Sequence, residues 1–527
     1  MGADLSVSLL PHYIGLSLLR MTAAYVMSLV FAVVVGRSAA RNALLGRVVP
    51  PALDVLQSLP VLAFLPAVLL GMMALLPGRR AGFELASVIL IFTGMVWNLT
   101  FSFYHSLLTI PRELLEAADM LNLSPWHRLT RVEMPSTIIG LVWNSVISWA
   151  GGWFFLMASE SFTLGNRAFV LPGLGSYLAA AADQGNTRAI LAGLSALLVV
   201  IILLDQLVWV PLIVWSGRFK VELADSGESR RSWWLNYLRN ASWLDAIRIG
   251  PWARVRDRVD AAMMRRSRRR GPIGTVPRVT AQLVVLLGGL VLLWSGIKGC
   301  VALASLVAAL PGEVWLSIVV GLLVTGSRVA LALIITVAWT LPVGVAIGTR
   351  PRLARVAQPI VQVAASVPAT ALFPVLLLLL VRRGGGGLGV ASMLLMLLGT
   401  QWYVLFNVIA GASALPRDLH EAVQLLRVRG LQKWRSYLIP AIFPFLVTGG
   451  LTAQGGAFNA SVVSEYVTFA GRTIQTTGLG ALIATAAAGS DYSLLAASTL
   501  TMAVLVVIVN RALWRPMARL AHERYHL

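Results

Sequence analysis

Long apolar runs broken by short basic stretches dominate the chain. Ile190 to Trp215 and Leu283 to Ile297 are almost free of polar side chains. A helix needs about 20 consecutive apolar residues to cross a bilayer, and roughly eleven stretches reach or approach that length. The predicted spans lie near 13–36, 51–77, 83–107, 136–160 and 189–216, then 279–298, 326–348, 359–381, 388–411, 440–463 and 494–515. Pro311, Gly312 and Glu313 break the apolar run Val301 to Leu323, which predicts a lead-in to the next span rather than a crossing of its own. His12 and Arg20 interrupt the first run and no small-residue cleavage site follows, so the first helix is expected to stay in the mature protein rather than leave as a signal peptide.

Composition agrees with the pattern. Of 527 residues 57% are hydrophobic and 12% charged, too little polar surface to cover so much apolar material in water. The formal charge of +21 would suit nucleic acid, but its distribution points elsewhere. Between Gly217 and Arg278 there are 15 Lys or Arg against 6 Asp or Glu. Such a segment is a loop held on the cytoplasmic side and attracted to anionic lipid headgroups, so no nucleic-acid partner is expected. Arg37–Arg47, Arg112–Arg131, Arg350–Arg355, Arg417–Arg435 and the tail from Arg511 are basic too, and eleven spans place all of them on that same side. Arg79-Arg80 and Arg382-Arg383 are the exceptions. The N-terminus is then outside and the C-terminus inside. The single cysteine, Cys300, excludes an intramolecular disulfide, and the scattered histidines form no metal constellation.

Internal repetition is the strongest signal. Gly94, Trp97, Phe101, Glu116, Ala117, Pro135, Gly151, Glu160, Gly173, Leu174 and Gly175 recur 305 positions later as Gly399, Trp402, Phe406, Glu421, Ala422, Pro440, Gly456, Glu465, Gly478, Leu479 and Gly480. Upstream, Arg20, Gly36, Pro51, Pro60 and Pro66 recur 308 positions later as Arg328, Gly344, Pro359, Pro368 and Pro374. The difference of three falls between Pro66 and Gly94, where the first copy carries the loop Pro77–Gly82, a place that tolerates insertion. Chance likeness among apolar helices would match Leu and Val, not Gly, Trp, Pro, Arg and Glu in register. A five-span unit ends on the side opposite its start, so a second copy in the same orientation needs one connector, supplied by Val279–Ile297. The fold expected is an all-α polytopic membrane protein, a tandem parallel repeat of a five-helix unit. Residues 1–216 form the first domain, 217–278 a basic cytoplasmic linker, and 279–527 the second domain with the connector.

Each copy carries the same segment on its basic side: Glu116-Ala117-Ala118 before Pro135, and Glu421-Ala422-Val423 before Pro440, both intervals being 19 residues. The pattern predicts two short amphipathic helices around a turn, with the prolines at first-turn positions of the next span. A narrow knob of alanines beside an acidic residue suits a cleft on a soluble partner. Here the chain resembles the inner-membrane permeases of binding-protein-dependent ABC importers, whose coupling loop carries a Glu-Ala-Ala, Gly, Ile-x-Leu-Pro signature. Ser-Leu-Leu-Arg20, Gly-Ser-Arg328, the matched prolines and Gly-Leu-Gly at 173–175 and 478–480 resemble the nitrate, sulfonate, taurine and bicarbonate branch. The resemblance implies two ABC ATPase subunits beneath the two loops, an external substrate-binding protein, residence in a bacterial inner membrane, and import of a small anionic solute. No Gly-x-x-x-x-Gly-Lys-Ser/Thr loop occurs, so ATP and Mg are expected on the partner ATPase, with no cofactor or enzymatic centre on this chain.

The sequence departs from the signature where its glycine falls: Asn122 in the first loop, Arg427 in the second. Asn tolerates a left-handed backbone better than Arg, so the first turn is expected to persist and the second to shift toward Gly430. Ionisable residues within spans are expensive, which singles out Arg20, Arg328, Glu160 and Glu465. The arginines either form a positive entrance for an anion or each lock to the glutamate of their own repeat. Trp97 with Asn98, and Gln401 with Trp402, either line a path or serve packing. An ion-gradient-driven secondary transporter is the main alternative. Such proteins commonly carry inverted repeats and midplane carboxylates, whereas this repeat is parallel.

Overall fold

A computed structural model describes residues 4–219 and 301–524 except 59, 77–78, 165–166, 384–386, 416–418, 420, 422, 424 and 470, together with 258, 261, 294 and 297–299. Most of the expected connector and of the basic linker, with Cys300 and Ala422, lie outside the described residues.

The first copy comprises α1 (Leu10–Arg41), α2 (Ala43–Ser58), α3 (Leu65–Leu75), α4 (Arg79–Leu108), α5 (Arg112–Met120), α6 (Pro125–Arg128), α7 (Met134–Glu160), the hairpin β1 (Ser161–Leu164) and β2 (Arg167–Val170), α8 (Leu174–Asp183), α9 (Thr187–Leu204) and α10 (Val210–Ser216). The second comprises α11 (Gly312–Gly348), α12 (Pro351–Ser366), α13 (Ala369–Arg383), α14 (Leu388–Ser413), α15 (Gly430–Lys433), α16 (Ile439–Ser464), β3 (Tyr466–Phe469), β4 (Arg472–Gln475), α17 (Leu479–Gly489), α18 (Tyr492–Val509) and α19 (Arg515–Arg524). From β1 onward every element of the first copy begins 305 residues before its counterpart, so the repetition of residues is a repetition of structure.

Eight described helices are long and apolar enough to cross a membrane, or nine if the pair Pro351–Ser366 and Ala369–Leu377, bent by 77°, is one broken span. The continuous span expected at 51–77 is instead divided into α2, a short 3-10 turn at Val61–Phe64, and α3. Proline supplies no N–H to the preceding turn, and Pro60 and Pro368 sit at these breaks in the two copies. The lead-in expected before 326 joins the span itself, because α11 starts directly after Pro311.

Helix α1 shows how the pattern sets the packing. Ser17, Met21, Ala24, Ser28, Ala32 and Gly36 form a buried stripe of mostly small residues, while Leu19, Val26, Val30 and Val34 on another face are 52–67% exposed and suited to lipid. A Cβ at Gly36 would meet the Phe103 ring at 3.1 Å, so the stripe lets α1 press closely on α4. In each copy the tightest packing is α1 on α4 on α7, and α11 on α14 on α16.

Four π-helical turns occur at Leu129–Glu133, Asp205–Trp209, Trp434–Leu438 and Asn510–Trp514, and each is followed, after one residue, by a proline: Pro135, Pro211, Pro440 and Pro516. A proline ring inside a helix collides with the carbonyl four residues earlier, and the extra residue of a π turn displaces that carbonyl. The helices therefore run through these prolines. Pro125–Glu160 is one 36-residue run, so Pro135 lies inside a continuous helix instead of opening a new one.

The halves share one core. Leu62, Trp153, Ile318, Phe458 and Val506 belong to a single buried cluster, and the Leu62 N–H donates to Asn459 Oδ1 at 3.1 Å across the interface.

Candidate coupling and translocation sites

At one end of the bundle, α5 and α6 form an elbow. Its turn has the geometry of a helix C-cap: the Leu123 N–H donates to the Ala118 carbonyl at 3.1 Å and the Asn122 N–H to the Asp119 carbonyl at 3.0 Å, with Asn122 at φ 49°. In the second elbow the Val428 N–H donates to the Val423 carbonyl at 3.2 Å, and Arg427 takes φ 51°. The turn thus stays in register in both copies, contrary to the shift expected toward Gly430, whose own positive φ serves the start of α15. The closing hydrogen bond and the helix ahead hold the position, so arginine adopts a backbone that its Cβ disfavours by about 1–2 kcal/mol. Arg427→Gly should accordingly stabilise the second elbow by about 1 kcal/mol, and Asn122→Gly the first by less than half of that, seen as slower proteolytic opening.

Glu116 and Ala117 are exposed on the first elbow while Ala118 is buried; Glu421 is exposed and Val423 half-buried on the second. Sequence reasoning missed the apolar tip beside them. Met120 and Leu121 are 84% and 72% exposed, and their counterparts Leu425 and Leu426 are 84% and 76% exposed. These pairs immediately precede the turn residues, and being apolar in a basic loop was their only sequence signal.

The elbows are braced differently. In the first, Glu133 is buried and accepts from Arg37 Nε at 2.7 Å and from Arg41, while Arg37 also donates to the Pro125 carbonyl at 2.9 Å. Asp119 and Arg128 tie the two elbow helices at 2.6 Å. The positions equivalent to Arg37, Arg41 and Glu133 are Val345, Thr349 and Leu438, and Val345 and Leu438 lie in a buried apolar cluster with Tyr437 and Ile442.

At the opposite end of α7, Glu160 is fully buried. It accepts from Arg20 Nη1 at 2.7 Å, Ser17 Oγ at 2.6 Å and the Gly175 N–H at 2.7 Å, so its charge sits on the N-terminus of α8. Arg20 grips Glu84 with a two-pronged fork, at 2.6 and 2.8 Å. In the second copy Glu465 accepts from Arg328 Nη1 at 3.0 Å, Thr325 Oγ1 at 2.8 Å and the Gly480 N–H at 2.9 Å. The Gly-Leu-Gly pairs are required by this geometry, since a Cβ at Gly175 would stand 2.9 Å from Met157 Cα, and one at Gly480 would collide with the Ser461 carbonyl. Glu84 has no counterpart: Gly389 holds its place, and Arg328 turns instead to Thr476 Oγ1 at 2.9 Å.

Between the halves lies a cavity of about 570 Å³. Its walls repeat too: Gly94, Trp97, Val146 and Gly151 from the first copy face it with Gly399, Trp402, Leu451 and Gly456 from the second. Trp97, Asn98 and Trp402 line it, while Gln401, 6% exposed, and the two Arg–Glu clusters do not. Asp205 accepts from Gln362 Nε2 at 2.7 Å, joining the last span of one half to α12 of the other.

A profile of the family described as binding-protein-dependent transport system inner membrane component matches residues 28–209 and again 340–513, more than half of the chain. Over 141 residues the chain is 25% identical to the nitrate import permease protein NrtB of Leptolyngbya laminosa, a stretch covering 27% of this chain and 49% of that protein. Over 124 residues it is 27% identical to the bicarbonate transport system permease protein CmpB of Synechocystis sp., covering 24% and 42%. The matched stretches thus span about half the length of these relatives or less.

Proposed function

The chain belongs to the family of binding-protein-dependent transport system inner membrane components, and from that premise we propose that it is the permease of an ATP-driven ABC importer, with both halves of the pore fused in one polypeptide. The observation that carries this reading is the pair of elbows in matched register, each presenting an exposed glutamate and an apolar tip at the head of a helix that runs through the membrane to the far end of the cavity wall. Partner ATPases, one beneath each elbow and holding the ATP and Mg, would move the elbows. α7 and α16 would carry that movement to the cavity. Glu116, Ala117, Ala118 and Pro135, with Glu421, Ala422, Val423 and Pro440, form the coupling set. The elbows face the cytoplasm, as their basic loops require, which puts the N-terminus outside.

The cargo we propose is a small anionic solute of the nitrate, bicarbonate, sulfonate or taurine type, delivered by an external binding protein. Support comes from the names of the two relatives and from the absence of carboxylates among the described residues lining the cavity. The geometry of Arg20 and Arg328 supports a locking role within each repeat over the entrance role. Reconstitution tests the whole reading. ATP-driven uptake should need co-purifying ATPase subunits and should fall when Glu116 and Glu421 are replaced together by Ala. Uptake by the chain alone, driven by an ion gradient, would overturn it in favour of a secondary transporter.

A further inference from the structure

We propose that the two β-hairpins and the short helices α8 and α17 form the outer gate of the cavity, shut by two equivalent clasps in which each half grips the other. This rests on the permease reading above, which puts the hairpins on the outer face.

The cavity itself shows which end is shut. It follows α14 as far as Ser413, the last residue of that helix before the second elbow, yet no described residue of the hairpins, α8 or α17 lines it. Ala369 and Leu398 line it and also pack in the apolar cluster around Phe469 of β3, so that cluster is part of its roof. A solute arriving from outside has to part this roof.

The roof is built by exchange between the halves. Phe469 packs with Phe373, Leu377, Ala391 and Leu395 of its own half and with Ala182, which belongs to α8 of the first half. The first hairpin repeats the arrangement: Phe162 and Phe169 lie with Leu69, Phe83 and Ala86 of their own half and with Ala487 of α17 in the second. Leu69 and Leu377, Ala86 and Ala391, and Ala182 and Ala487 are equivalent positions of the repeat. What each half lends the other is chiefly one methyl group on a short helix. Such a face lets backbones approach closely and has no long side chain to unthread when it separates.

Each clasp is tied to the helix that comes from an elbow. The Leu171 N–H donates to the Glu160 carbonyl at 2.9 Å and the Thr476 N–H to the Glu465 carbonyl at 3.0 Å, closing each hairpin onto the end of α7 or α16. The Glu160 carboxylate also holds the N-terminus of α8, and that of Glu465 the N-terminus of α17. Each long helix thus carries a hairpin and a short helix with it. β1 meets α17 and β3 meets α8, so one relative movement of α7 and α16 parts both clasps together. The elbow stroke then opens the outer end.

Cys300 is the chain's single cysteine, so Cys300→Ser gives a cysteine-free background for the test. In it, Ala182→Cys with Phe469→Cys is oxidised by copper–phenanthroline to bridge the halves, and Ala391→Cys with Phe469→Cys to bridge within one half; mass spectrometry scores the bridges. The complex is purified with its ATPase subunits and reconstituted in liposomes with labelled nitrate, bicarbonate and taurine. The bridge between halves should lower ATP-driven uptake of the imported solute at least about tenfold, reversibly on reduction, and the bridge within one half should leave it within about twofold. Uptake unaffected by the first bridge, or lost equally with the second, would overturn the gate while leaving the permease reading intact. Ala182→Leu with Ala487→Leu needs no bridge and should wedge both clasps ajar. Ser366→Cys, inside the cavity, should then react with a membrane-impermeant maleimide added outside without ATP, at least about tenfold faster than with both alanines in place. Equal rates would also overturn the gate. ATP-independent uptake by wild type would instead bring down the permease reading, and this proposal with it.

Discussion

Arg20→Gln should destabilise the folded protein by about 3–5 kcal/mol, the cost of stranding a buried carboxylate without its partner. Glu160 is fully buried, and without Arg20 it keeps only the Ser17 hydroxyl and the Gly175 N–H. The expected result is a large drop in the thermal midpoint of the detergent-solubilised protein. Arg328→Gln should cost clearly less. Its side chain is 16% exposed against 4% for Arg20, and it bridges one carboxylate where Arg20 bridges two. Pairing Arg20→Met with Glu160→Gln should recover more than half of the loss, because neither variant side chain then leaves a buried charge unmatched. Unchanged melting with abolished uptake in Arg20→Gln would instead make Arg20 an anion entrance and discard the locking role.

These clusters show which features were legible beforehand. Arg20 with Glu160, and Arg328 with Glu465, stood out because charge is rare within apolar runs and because both pairs recurred at fixed offsets. Periodicity placed the long helices for the same reason, since lipid imposes a simple rule on them. What escaped was set by local competition. Pro60 and Pro368 break their spans, whereas Pro135 and Pro440 are carried inside helices by a π turn, and nothing in the prolines themselves tells the two cases apart. The turn at Arg427 persisted because its closing hydrogen bond and the preceding helix outweigh one residue's backbone preference. Nor does an alternation of apolar residues say which tryptophan faces a cavity: Trp97 and Trp402 do, while Gln401 beside Trp402 is turned away.

The least legible feature is the unequal bracing of the elbows, and it yields the sharpest functional expectation. Glu133→Leu should uncouple the first elbow, with ATP hydrolysis kept and solute uptake lowered about tenfold. The substitution leaves Arg37 and Arg41 side by side without their shared carboxylate, and they are 23% and 39% exposed, so solvent screening limits the direct penalty to about 1 kcal/mol. The larger consequence is geometric. Arg37 holds the Pro125 carbonyl only while Glu133 fixes its guanidinium, so the start of α6 comes loose from the end of α1. On the permease reading proposed above, a helix head free to move by even a fraction of a turn would pass less of a partner ATPase's stroke into α7. The second copy already contains the repair, since Val345 and Leu438 fill the same place in an apolar cluster, with Thr349 donating to the Val345 carbonyl beside them. Introducing Arg37→Val and Arg41→Thr together with Glu133→Leu should therefore restore coupling to within about twofold, as replacement of an ionic cluster around a buried carboxylate by packed apolar groups is often neutral or better. Raising ionic strength should weaken uptake by the wild type more than uptake by that triple variant, which keeps the Asp119–Arg128 pair as its one described ionic tie in the elbow. A triple variant no better than the single one would show that the charges themselves transmit the movement, and that the two elbows work by different means.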